Sequence, residues 1–123
     1  MYEIKVKSNF SAAHNLRNYR AKCENLHGHN WNIEVTFAYK TLSAAGMAVD
    51  FKEAKGLLES VLKKFDHSYL NETGAFKKLN PTSENMAKLI YDGIKKNNKH
   101  ISAVSVWENE NSCATYKEIC CGT

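Results

Sequence analysis

The chain has 123 residues, enough for one ordinary core, and residues 1–123 read as a single domain. Apolar residues make up 43% of it and charged residues 24%, proportions that exclude a disordered or fibrous chain. The formal charge of +4 is mild and is compatible with an anionic small ligand without pointing to one, and its scattered basic residues do not form the stripe that a nucleic-acid surface needs.

Residues 2–14 alternate with period two. Tyr2, Ile4, Val6, Phe10 and Ala12 share one parity, while Glu3, Lys5, Lys7 and Asn9 share the other. This predicts a half-buried strand. The same segment lacks a basic stretch followed by an apolar one, so no signal peptide is expected. No apolar run approaches the roughly 20 residues that span a bilayer. The expected location is the cytoplasm, where Cys23, Cys113, Cys120 and Cys121 stay reduced. Cys120 and Cys121 read as incidental tail thiols.

Residues 29–40 repeat the alternation, with Trp31, Ile33, Val35, Phe37 and Tyr39 on one side. A turn-like segment over 41–46 follows. Asp50 then predicts an N-cap, with Glu53 three residues on as in a capping box. Phe51, Ala54, Leu57, Leu58, Val61, Leu62 and Phe65 form the apolar stripe of that helix. A second helix is predicted after Pro81-Thr82-Ser83, carrying Met86, Leu89, Ile90 and Ile94 on one face. Asn97 or Asn98 is expected to end it in a left-handed cap. Two strands close the chain, Ile101 to Glu108 and Cys113 to Ile119. The order β-β-α-α-β-β predicts an α+β domain, with helices on one face of an antiparallel sheet. Such a sheet leaves free edges, and free edges predict a homo-oligomer.

Three histidines stand out against this frame. His27 and His29 flank Gly28 at the start of the second strand and share the parity of Trp31. His14 continues the apolar parity of the first strand. If those strands pair antiparallel, the loop over 15–26 brings His14 beside the other two. Three imidazoles on rigid strands hold zinc and leave a fourth position open, which is the catalytic pattern. A closed site with Cys23 as fourth ligand and a purely structural cluster are the alternatives. His100 reads as a surface residue.

Cys23 lies four residues before His27. A thiol beside a metal centre is shifted toward thiolate, which suits a base or nucleophile. Asp66-His67 follows the first helix, and a carboxylate can orient an imidazole and support its protonated form. Glu108, at a strand end, is able to pair with the N–H edge of a heterocycle. Spacing alone leaves the bland surface readings of these last three residues open.

Taken together, Phe10-Ser11-Ala12-Ala13-His14, Cys23-Glu24-Asn25-Leu26-His27-Gly28-His29, Asp66-His67-Ser68-Tyr69-Leu70-Asn71, Asn80-Pro81-Thr82-Ser83-Glu84-Asn85, and Glu108 with Tyr116 resemble the 6-pyruvoyltetrahydropterin synthase family. The C-x3-H-G-H spacing resembles the 6-carboxy-5,6,7,8-tetrahydropterin synthase branch. The resemblance implies that His14, His27 and His29 hold zinc and that Cys23 is the proton-abstracting base. Asp66 and His67 would form the accompanying relay. Glu108 would anchor the pterin ring, with Thr82 and Ser83 as further contacts, contributed by a neighbouring subunit or the same one. The implied fold is the tunnelling fold, a four-stranded antiparallel sheet with two helices on one face, assembled as a hexamer of two trimers. The implied substrate is 7,8-dihydroneopterin triphosphate, on the route to 7-deazaguanine compounds such as queuosine. Two departures stand out: Asn109 follows the glutamate where the family often has threonine, and nearby Glu110 competes for the same assignment.

Overall fold

A computed structural model of the chain describes residues 1–17 and 26–118. Two long strands, β1 (Tyr2–His14) and β2 (His27–Tyr39), form an antiparallel pair in continuous register from Tyr2 opposite Tyr39 to His14 opposite His27. Helix α1 (Phe51–Leu62) follows, then a two-residue strand β3 (Ser68–Tyr69) and helix α2 (Ser83–Lys95). Strands β4 (Ile101–Trp107) and β5 (Cys113–Tyr116) complete the sheet, whose order is β3-β1-β2-β4-β5.

The four longer strands pair antiparallel, as the alternation predicts, but the sheet has five strands and is mixed. The expected four-stranded antiparallel sheet is therefore corrected by β3, which runs parallel to β1 opposite Ala12 and Ala13. Its origin is local. The residues just after α1 dock on the margin of β1: the Ser11 N–H donates to Asp66 Oδ1 (3.0 Å) and the His67 N–H donates to the Ser11 carbonyl (2.6 Å). Once both polar groups of Ser11 are engaged, the chain is aligned for two more residues of pairing. A two-residue strand has no periodicity to detect.

The even-numbered residues of β1 and the odd-numbered residues of β2 supply the core, including Val6, Phe10, Trp31, Ile33, Val35 and Phe37. Ala54, Leu58 and Leu62 of α1 and Met86, Ile90 and Ile94 of α2 pack into the same cluster. Both helices thus cover one face of the sheet, and the other keeps its polar parity. Phe51, expected in the α1 stripe, is exposed because it is the first residue of the helix, whereas Phe65 is buried in the turn beyond it. Asp50 caps α1 by accepting from the Lys52 N–H (2.8 Å). Helix α2 ends differently from expectation. Lys96 caps it in right-handed geometry, Asn97 and Asn98 both donate to the Ile94 carbonyl, and among the described residues positive φ falls at His67 and Gly46. Among the described residues, no helix is long and apolar enough to cross a membrane.

Candidate metal and pterin site

Trp31 is wholly buried and forms the floor of the site. Its ring stacks on Phe10 at 6.1 Å on one side. The His14 and His29 rings meet it edge-on at 4.8 and 5.7 Å, and each other at 5.0 Å. This arrangement follows from register. Ala12 opposes His29 and Phe10 opposes Trp31, so the two apolar series run side by side and end in imidazoles. His27 occupies the position opposite His14; its side chain, and all of Cys23, lie outside the described residues.

His14 is 2% exposed and its Nδ1 lies 2.8 Å from the Pro81 carbonyl oxygen. A carbonyl only accepts, so Nδ1 carries a proton and Nε2 is the ring atom turned toward the site. That Nε2 faces Glu108 Oε1 at 3.1 Å, and His29 Nε2 lies 2.9 Å from the same oxygen. Glu108 comes to the histidines by strand parity: Val104 and Val106 point into the core, and residue 108 is next in that series just past β4. Among the described residues, His14, His29 and Glu108 form a set whose ligating atoms all lie within 4.8 Å of one another. Two imidazole nitrogens and one carboxylate oxygen suit zinc chemically.

The segment carrying Pro81 is held to β1's exit by paired side chain–backbone bonds. Asn71 accepts from the Asn15 N–H (3.0 Å) and donates to the Asn15 carbonyl (2.8 Å). Asn80 does the same for Arg17, at 2.9 and 3.0 Å. Arg17 in turn donates to the carbonyls of Asn71, Phe76 and Leu79. These residues are absent from the sequence-based site, although Asn71 and Asn80 stand in the motifs quoted for it. A backbone acceptor such as the Pro81 carbonyl leaves no sequence signal at all. Asn71→Ala strips partners from both polar groups of Asn15 at a site only 6% exposed. It is expected to cost about 2 kcal/mol, measured by denaturant unfolding.

Thr82 caps α2, its hydroxyl accepting from the Asn85 N–H (3.1 Å), and Ser83 opens the helix. Both sit directly after the carbonyl that orients His14, which gives Thr82 a local structural task beside the pterin contact that the resemblance implies.

Asp66 and His67 do face each other, with Oδ2 3.0 Å from Nδ1. The Ser11 N–H, together with the His67 ring, holds the Asp66 carboxyl below its ordinary value, against the opposing effect of partial desolvation. Because the folded value is lowered, the stabilisation is present above the ordinary carboxyl range and is lost as pH falls through the lowered value. His67 adopts φ 56°, a left-handed backbone that costs about 1–2 kcal/mol for a residue with a Cβ. The bond from its N–H to the Ser11 carbonyl offsets that cost and leaves an 83% exposed imidazole. His67 and His29 border one shallow depression with Ser11, Asn30 and Ser68. A larger depression bordered by Lys7, Asn32, Glu34 and Trp107 lies apart from the histidines.

Residues 3–119 match the model of the 6-pyruvoyl tetrahydropterin synthase family. The chain belongs to that family. Relatives from Archaeoglobus fulgidus and Aquifex aeolicus carry the name 6-carboxy-5,6,7,8-tetrahydropterin synthase, the first provisionally. They are 36% and 33% identical to this chain, over 90% and 79% of it and 91% and 76% of their own lengths. A relative from Pyrococcus furiosus, 32% identical over 85% of this chain and 88% of its own, is named dihydroneopterin monophosphate aldolase. The solved 6-pyruvoyl tetrahydropterin synthase of Caenorhabditis elegans superposes with a TM-score of 0.86 at 26% identity, covering 96% of each chain.

Proposed function

We propose that this family member is a zinc-dependent 6-carboxy-5,6,7,8-tetrahydropterin synthase. It would convert 7,8-dihydroneopterin triphosphate and one water to 6-carboxytetrahydropterin, acetaldehyde and triphosphate, in cytoplasmic 7-deazaguanine and queuosine biosynthesis. The observation that carries the reading is the meeting of His14 Nε2, His29 Nε2 and Glu108 Oε1 above Trp31, with the His14 tautomer set by Pro81. The C-x3-H-G-H spacing and the names of the Archaeoglobus and Aquifex relatives support the carboxy branch.

In this reading His14, His27 and His29 hold the zinc. When bound, zinc lowers the pKa of side-chain hydroxyls and stabilises developing oxyanions. Cys23 removes a proton from the substrate side chain. His67 passes a proton, and Asp66 keeps its ring oriented and its charged form supported. Glu108 anchors the N–H edge of the pterin, with Thr82 and Ser83 beside it. Holding the ring fixes the reacting carbons against the base, which is worth several kcal/mol of barrier. The sheet ends at β3 and β5 among the described residues, and strand margins of this kind support assembly of copies into the family's hexamer of two trimers.

Two other activities fit the same family. Elimination of triphosphate to 6-pyruvoyltetrahydropterin retains the whole side chain, and the Pyrococcus relative's name specifies the monophosphate as substrate. Product analysis by mass spectrometry on zinc-loaded protein separates them. Acetaldehyde and 6-carboxytetrahydropterin are expected from the triphosphate. A pyruvoyl product, or turnover of only the monophosphate, would move the assignment to a sister activity. No turnover of either would favour a zinc- or pterin-binding module without catalysis.

A further inference from the structure

We propose that Glu108 is a removable ligand of the metal centre, closing it when no pterin is bound and leaving it for the ring when one arrives. The inference rests on the reading of His14 and His29 as metal ligands and of Glu108 as the ring's anchor.

The geometry is specific. One oxygen, Glu108 Oε1, lies 3.1 Å from His14 Nε2 and 2.9 Å from His29 Nε2. With His14 Nδ1 directed at the Pro81 carbonyl, its Nε2 is left facing the same carboxylate oxygen as His29 Nε2. Two imidazole nitrogens converging on one carboxylate oxygen form a donor set of the kind that a divalent cation takes. Ligands bound to zinc at about 2.0–2.1 Å in a tetrahedron stand about 3.3 Å apart. The observed separations are within a few tenths of an ångström of that edge.

The carboxylate is also placed at the margin of the site. Glu108 lies one residue beyond β4, and its side chain is 31% exposed. The turn that follows is stabilised without it: Asn109 Oδ1 accepts from the N–H groups of Asn111 and Ser112, at 2.8 and 3.1 Å. Rotation of the Glu108 side chain therefore disturbs no backbone pairing.

The consequence is an ordered site. With three histidines and Glu108 the centre is four-coordinate and closed, as in structural zinc sites. A pterin ring offers Glu108 a paired N–H edge, a better partner for a carboxylate than a shared ligand position. Its departure opens the coordination position just as the ring is seated, so ring recognition precedes engagement of the side-chain hydroxyls.

Cobalt(II) in place of zinc provides the test on the full chain. Visible absorption reports ligand number, and chelator competition reports affinity. Plain pterin, which has no side chain to reach the metal, is the probe, and its binding is followed separately by fluorescence. In the wild-type protein, pterin should change the cobalt spectrum. Glu108→Ala should bind cobalt about tenfold more weakly, show a different spectrum at rest, and be insensitive to pterin. Glu108→Gln, closer in shape, should also lose the pterin response, and circular dichroism checks that both variants are folded. Identical resting spectra and affinities in wild type and Glu108→Ala would overturn the proposal. So would a wild-type spectrum that ignores bound pterin, since Glu108 would then be a fixed ligand. Failure of the wild-type protein to bind cobalt at all would instead bring down the metal-centre reading, and the proposal with it.

Discussion

Replacing His14 by alanine should remove metal and turnover together and should weaken the fold as well. The ring is 2% exposed, packed edge-on against Trp31 and His29, and bonded to the Pro81 carbonyl. Alanine leaves that carbonyl without its donor, at a cost of about 1–3 kcal/mol. It also leaves a cavity beside Trp31, and truncation of large buried side chains costs about 2–5 kcal/mol. The two effects overlap, so a net loss of about 3–4 kcal/mol is expected in denaturant unfolding of the metal-free protein. Metal content should fall below one-tenth of the wild-type value, and activity should become undetectable. A variant that keeps a full complement of zinc would remove His14 from the ligand set.

Cys23→Ala should behave in the opposite way. Its metal content is expected to match the wild type, while turnover falls by about two to four orders of magnitude, the usual worth of a positioned base. The contrast between the variants separates the two roles that the sequence allows for this thiol. Loss of zinc along with the cysteine would mean a closed site of three histidines and one thiolate, and Cys23 would no longer be available as base.

Much of the candidate site is legible in the sequence because its geometry follows strand parity. His14 and His29 extend alternating apolar series, and the antiparallel register brings those series together at their ends. The same rule locates Glu108 two residues beyond Val106, although spacing alone suggested only a strand-end carboxylate. Asp66 and His67 were harder to judge, since neighbours in a chain seldom face each other. Here the left-handed backbone at His67 turns its ring back to the carboxylate. The fifth strand was not legible, because it arises from two bonds to Ser11 and not from any apolar pattern. Nor was the Pro81 carbonyl, a backbone atom whose importance depends on which imidazole reaches it. The end of α2 misled for a different reason. Asn97 is a good left-handed residue, but Ile94's carbonyl was satisfied by two N–H groups without one.

The burial of His14 against Trp31 has a thermodynamic corollary. One imidazole packs against the hydrophobic core at Trp31 and belongs to the proposed metal centre at once, so an unfolded chain retains neither that packing nor the ligand geometry. Metal binding and folding are then linked equilibria. At free metal a hundredfold above its dissociation constant, the native state gains about 2.7 kcal/mol over the apo chain. For a protein this small, cellular metal supply would therefore set how much folded protein persists, and not only how much of it is active.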